Sequence, residues 1–127
     1  MKKAFVISLT ISLLALVAGN VAWSASTLKV TTPNGGESWT KGKTYTIKWK
    51  KGNGGSRVKI ELLKSGKVYK TIKKRTGNDG KFRWKIPSSE KTSKRYKIRI
   101  TSITKDEVLD SSNKVFTIKK KTSSSGT

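Results

Sequence analysis

Apolar and polar residues alternate one by one along most of this chain, in short runs broken by turn residues. Tyr45, Ile47 and Trp49 are separated by Thr46 and Lys48, and Phe82, Trp84 and Ile86 by Arg83 and Lys85. Tyr96, Ile98 and Ile100 are separated by Lys97 and Arg99. A period of two belongs to β-strands, whose successive side chains point to opposite faces, whereas a helix needs 3.6. Seven such runs can be read: 27–32, 43–50, 56–63, 67–73, 80–86, 95–103 and 114–119. In the fourth, Val68 and Ile72 share a face with Lys70, which marks an edge strand whose inward lysine discourages aggregation. Between the runs stand Asn53-Gly54-Gly55, Lys64-Ser65-Gly66-Lys67 and Thr76-Gly77-Asn78-Asp79-Gly80, rich in residues suited to turns. Pro87 lacks an amide hydrogen and ends the fifth run. Nothing after residue 26 reads as a helix, and no repeat is present. The expectation is an all-β, immunoglobulin-like antiparallel sandwich of about seven strands.

Residues 1–26 follow a different rule. Lys2 and Lys3 precede a mostly apolar run from Ala4 to Ala18, and small residues follow at Ala22, Ser24, Ala25 and Ser26. This is the layout of a secretory signal peptide. Cleavage after Ser24 or after Ser26 places small residues at both critical positions, whereas cleavage after Ala25 would place Trp23 at one of them. An uncleaved anchor is the competing reading, but the run is shorter than the ~20 residues a spanning helix needs. The expected organisation is a signal peptide at 1–26, a sandwich at 27–118 and a basic, Ser-rich disordered tail at 119–127. The expected protein is secreted and monomeric, with no membrane span left after cleavage.

The absence of Cys and His narrows the chemistry. No disulfide framework, thiol nucleophile, common zinc site or Ser–His–acid triad can be built. Among the acidic residues, Glu61 lies on a strand among basic neighbours, where a salt bridge is the plain reading. Asp79 and Asp110 fit turns. Asp106, Glu107 and Asp110 match no calcium loop, and the surrounding positive field repels cations. No pair of carboxylates is set for glycoside hydrolysis, Glu90 included. The expectation is no enzyme, no catalytic residue, no metal and no cofactor.

The charge balance points toward anionic partners. Lys plus Arg number 29 against 7 Asp plus Glu, a formal net charge of +22, and removing residues 1–26 takes away only Lys2 and Lys3. If Trp49, Trp84 and Tyr96 face the core, their basic neighbours face solvent, so the two groups cannot form one base-stacking site. Lys48, Lys50, Lys81, Arg83 and Lys85 then cover one sheet, and Arg57, Lys59, Lys97 and Arg99 the other. Two readings stand: attachment to polyanions, or a solvated surface that blocks edge pairing. Trp39, in a Gly-rich segment, either stacks on a sugar ring or closes one end of the sandwich.

A resemblance adds to this reading. Pro33-Asn34-Gly35-Gly36-Glu37-Ser38-Trp39, Tyr45-Thr46-Ile47-Lys48-Trp49 and Gly80-Lys81-Phe82-Arg83-Trp84-Lys85-Ile86-Pro87 resemble the Kre9/Knh1-like N-terminal domain family, as do Tyr96–Ile100 and Asp110–Ile118. Pro33, Gly35, Gly36, Trp49, Trp84 and Pro87 match it as structural positions. The resemblance implies an immunoglobulin-like module of secreted and cell-wall proteins, found in fungal wall proteins linked to β-glucan assembly and in bacterial surface proteins. It implies no catalytic residue. The expected function is a non-enzymatic binding or scaffold module attaching to anionic polysaccharide or other cell-surface or extracellular polymers. One alternative is an extracellular nucleic-acid binder acting through phosphate contacts. Another is a structural or inhibitory module that meets a protein through loops or an edge strand.

Overall fold

A computed structural model describes residues 27–122. The signal segment expected at 1–26 and the end of the tail, 123–127, lie outside the described residues. Nine strands follow in order: β1 (Lys29–Thr32), β2 (Ser38–Thr40), β3 (Thr44–Lys50), β4 (Arg57–Lys64), β5 (Lys67–Gly77), β6 (Lys81–Lys85), β7 (Ser93–Ser102), β8 (Leu109–Ser111) and β9 (Phe116–Lys119). Seven occupy the expected runs. The two short ones, β2 and β8, carry too few residues to show a period and were not expected.

The strands form two sheets. The small sheet has the order β1-β3-β6 and the large one β2-β9-β7-β4-β5, with β8 also paired to β7. All pairings are antiparallel except β2 with β9, which run parallel. β5 is an edge strand, as expected, but it runs on to Gly77, with register shifts against β4 that bend it.

The inward residues of both sheets make one core. Val30, Ile47, Trp49, Trp84 and Ile86 from the small sheet meet Val58, Ile60, Leu62, Ile98, Ile100, Phe116 and Ile118 from the large one. Burying a large apolar side chain is worth about 1.5–3 kcal/mol, so this layer is the main source of stability. At one end Trp39 stacks on Tyr45, with ring centroids 4.6 Å apart and planes 4° from parallel, and leans on Phe116 at 5.2 Å.

Polar side chains drawn into this interior are paired, apart from the buried Thr101 hydroxyl, which has no partner among the described residues. The Trp49 indole Nε1 donates to Asn78 Oδ1 (2.7 Å), and Asn78 Nδ2 donates to the Gly55 carbonyl (2.7 Å). Asn78, read from sequence as a turn residue, is thus a buried clamp between the start of β6 and the loop before β4. Gly80 follows it at φ 86° with the Trp49 carbonyl close by, a conformation that a side chain would strain. The Tyr96 hydroxyl donates to the Lys91 carbonyl (2.7 Å), five residues upstream, as in the tyrosine corner of immunoglobulin-like sandwiches. It also lies 3.0 Å from Glu90 Oε2. Burial, and after it the bond to Glu90, pushes the Tyr96 pKa well above its ordinary value. Glu90 in turn receives Lys70 at 2.7 Å. The inward lysine of β5 therefore neutralises a buried carboxylate as well as guarding an edge.

Candidate functional site

The outward residues of the small sheet are set by the same alternation that fills the core. With Ile47, Trp49 and Val30 inward, Lys48, Lys50 and Lys29 must face out; with Phe82 and Trp84 inward, so must Lys81, Arg83 and Lys85. All six cations are exposed. The expected site residues Lys48, Lys50, Lys81, Arg83 and Lys85 are therefore brought onto one face. Lys29 joins them and was missed, although Leu28-Lys29-Val30 carried the signal: a cation between two core residues at the start of the first run.

Register places these charges against one another. Lys29 stands directly opposite Lys50, and Lys48 directly opposite Lys81. Like charges across a strand pair are destabilising. The remaining outward positions that pair across this face are threonines: Thr32 opposite Lys48, Thr46 opposite Arg83 and Thr44 opposite Lys85. No Asp or Glu occupies an outward position of β1, β3 or β6. Among the described residues, every ion pair is made by Glu61 or Glu90, and neither reaches these six cations.

The large sheet treats its share of the expected residues differently. Arg99 grips Glu61 through Nη2 (2.8 Å) and Nε (3.0 Å), and Lys59 lies 3.4 Å from the other carboxylate oxygen. Glu61 is nearly buried between them, which is the salt bridge that its basic neighbours suggested. Lys97, half-buried, pairs across β4 with the buried Leu63, and Arg57 stands exposed at the start of β4. The nine expected basic residues thus divide into an unpaired group on the small sheet and a partly neutralised group on the large one.

Three clefts with basic walls border these faces. One, of about 420 Å³, has Lys59, Lys74 and Arg75 on its walls together with Asp106. Another, of about 370 Å³, has Lys94, Lys119 and Lys120 on its walls, beside β7 and β9 of the large sheet. The third, of about 350 Å³, is lined by Lys41, Lys43, Lys121, Gly42 and Ser88 at the end of the small sheet beyond Lys85; neither of these last two has a carboxylate on its walls. Lys41 is tethered there by its Nζ, which donates to the Glu90 carbonyl (3.0 Å).

The ring of Trp39 is enclosed. It sits in strand β2, is 6% exposed, and has Tyr45 flat against its ring. This is the closing role, because a sugar would have to displace Tyr45 to reach the face of the indole. Asp106, Glu107 and Asp110 do not converge: Asp110 accepts from the Val30 amide (2.9 Å), and among the described residues no group of three metal-ligating side chains comes together. Among the same residues, no helix is long and apolar enough to cross a membrane.

Comparison with known proteins gives one match. The family model for the Kre9/KNH-like N-terminal Ig-like domain matches residues 32–118, from the end of β1 to the inward Ile118 of β9, and the chain belongs to that family. No curated protein and no solved structure matches it.

Proposed function

From its place in a family of cell-wall-associated, generally non-catalytic Ig-like modules, we propose that this protein is a secreted binding module. It attaches to anionic polymers of a cell surface or extracellular matrix. Binding runs through the outer face of the small sheet. The observation that carries this reading is the set of six exposed cations on one pleated surface, two pairs of them directly opposed, with no carboxylate among them. Four of the six, Lys29, Lys81, Arg83 and Lys85, lie on β1 and β6, the edges of this sheet, where edge protection alone would place them. Lys48 and Lys50 lie on the central strand β3, where edge protection gives no reason for them. Neighbouring cations about 5–7 Å apart fall within one screening length of about 8 Å, so their fields reinforce one another at physiological salt.

The test is a salt titration of binding to an acidic polysaccharide. Affinity is expected to fall linearly on a log–log plot as salt rises, because each neutralised charge releases a counterion. Replacing Lys48, Lys50, Arg83 and Lys85 with Gln is expected to flatten the slope while circular dichroism shows an unchanged sheet signal. Binding that does not respond to salt would overturn the reading.

A further inference from the structure

We propose that the outer face of the small sheet is a single-file track for a linear acidic polysaccharide, running diagonally from Lys29 on β1 to Lys85 on β6; the proposal rests on the polyanion-binding reading above. The strand register draws the track. Lys29 lies across from Lys50. Lys48 is the next outward residue of β3, and it lies across from Lys81. From Lys81 the outward residues of β6 continue as Arg83 and Lys85. Each step is either a crossing of about 5 Å between paired strands or an advance of about 7 Å along one strand. The cations therefore form a staircase one residue wide and about 20–25 Å long. They do not form a two-dimensional patch.

The positions beside the staircase decide the kind of polymer. Thr32, Thr44 and Thr46 stand across from Lys48, Lys85 and Arg83. Their hydroxyls both donate and accept, which suits sugar hydroxyls lying next to a bound carboxylate. Single-strand nucleic-acid binders add aromatic platforms on which bases stack. Here Tyr45, Trp49, Phe82 and Trp84, the aromatic residues of these three strands, take the inward alternation and pack in or against the core. The track thus offers charge and hydroxyls in a line and no surface for a base. A chain that carries about one carboxylate per sugar can lay successive charges on successive steps.

The full chain is titrated with oligogalacturonates of increasing length, and with oligothymidylates carrying the same number of charges, at low and moderate salt. Affinity is expected to climb with length until the oligomer carries about as many charges as the track has cations, and then to level. The galacturonate is expected to bind more tightly than the thymidylate at matched charge. K48Q/K81Q, which cuts the staircase at its crossing, is expected to weaken galacturonate binding about tenfold or more at low salt. R57Q/K97Q removes the same charge from the other sheet and is expected to change binding less than about threefold, the effect of the overall field alone. Equal losses in the two double variants would overturn the track while leaving polyanion binding in place. Tighter thymidylate binding would overturn the polysaccharide assignment. Binding to neither probe would overturn both this proposal and the reading it rests on.

Discussion

Lys48 and Lys81 on the small sheet and Lys59 and Arg99 on the large one arise from the same alternation, yet their surroundings are opposite. On the large sheet, β4 brings Glu61 beside Arg99 of β7, and the carboxylate also gathers Lys59. On the small sheet Lys48 meets Lys81 and Lys50 meets Lys29, with nothing acidic between them. On the first face Glu61 neutralises two of the cations, although Lys73, Lys74 and Arg75 of β5 stay exposed and make no ion pair among the described residues. The second holds repulsion that an exchange of one residue in each opposed pair would relieve. A fold that needed only a solvated surface could have placed its acidic residues on either sheet. Counting lysines does not separate paired charge from unpaired charge; strand register does.

The largest expected effect comes from breaking the core that both faces share. Trp49→Ala removes a buried indole between the sheets and leaves Asn78 Oδ1 without its donor. It is expected to destabilise the domain by roughly 3–5 kcal/mol, read as a shift in the chemical-denaturation midpoint. Both faces should be lost together. A folded Trp49→Ala protein that loses polymer binding selectively would place the site in the core aromatics and dissolve the contrast between the sheets.

A smaller effect sharpens the comparison from the large-sheet side. Glu61→Gln releases Arg99 and Lys59 from their carboxylate. Stability is expected to fall by roughly 1.5–3 kcal/mol, the range for hydrogen bonds to charged groups. Polyanion affinity should rise, because the large sheet would then resemble the small one. Unchanged affinity, measured in the same salt titration, would show that free cations alone do not make a binding face.

The smallest effect has the opposite sign. Lys48→Glu sets a carboxylate across from Lys81 and converts a repulsive pair into an attractive one. The domain is expected to gain up to about 1 kcal/mol and to bind polyanions more weakly. Thermal denaturation and binding measured on one preparation would show stability and affinity moving apart. Loss of both would mean that the lysines of this face serve the fold.

Much of this architecture was legible before any coordinates. Period two named the seven main strands and sorted core from surface, because the pleat makes side-chain direction a local property of the backbone. It therefore placed Lys48, Lys50, Lys81, Arg83 and Lys85 outward, and a stricter reading of Leu28-Lys29-Val30 would have added Lys29. It could not separate the two roles of Trp39, since a lone aromatic among glycines has no period to read. The strand β2 that carries Trp39 exists only because β9 arrives beside it in parallel, from far along the chain.

What the sequence by itself determined is which residues face in, which face out, and how much charge the exterior carries. Only the tertiary structure decided which outward residues are neighbours. Whether a cation meets a carboxylate, as Arg99 meets Glu61, or another cation, as Lys48 meets Lys81, depends on register between strands distant in the chain, and register is set by how the two inner faces interlock. Glu90 shows the same division: Tyr96 follows it by only six residues, but Lys70 belongs to β5 and reaches the carboxylate only when the core packs.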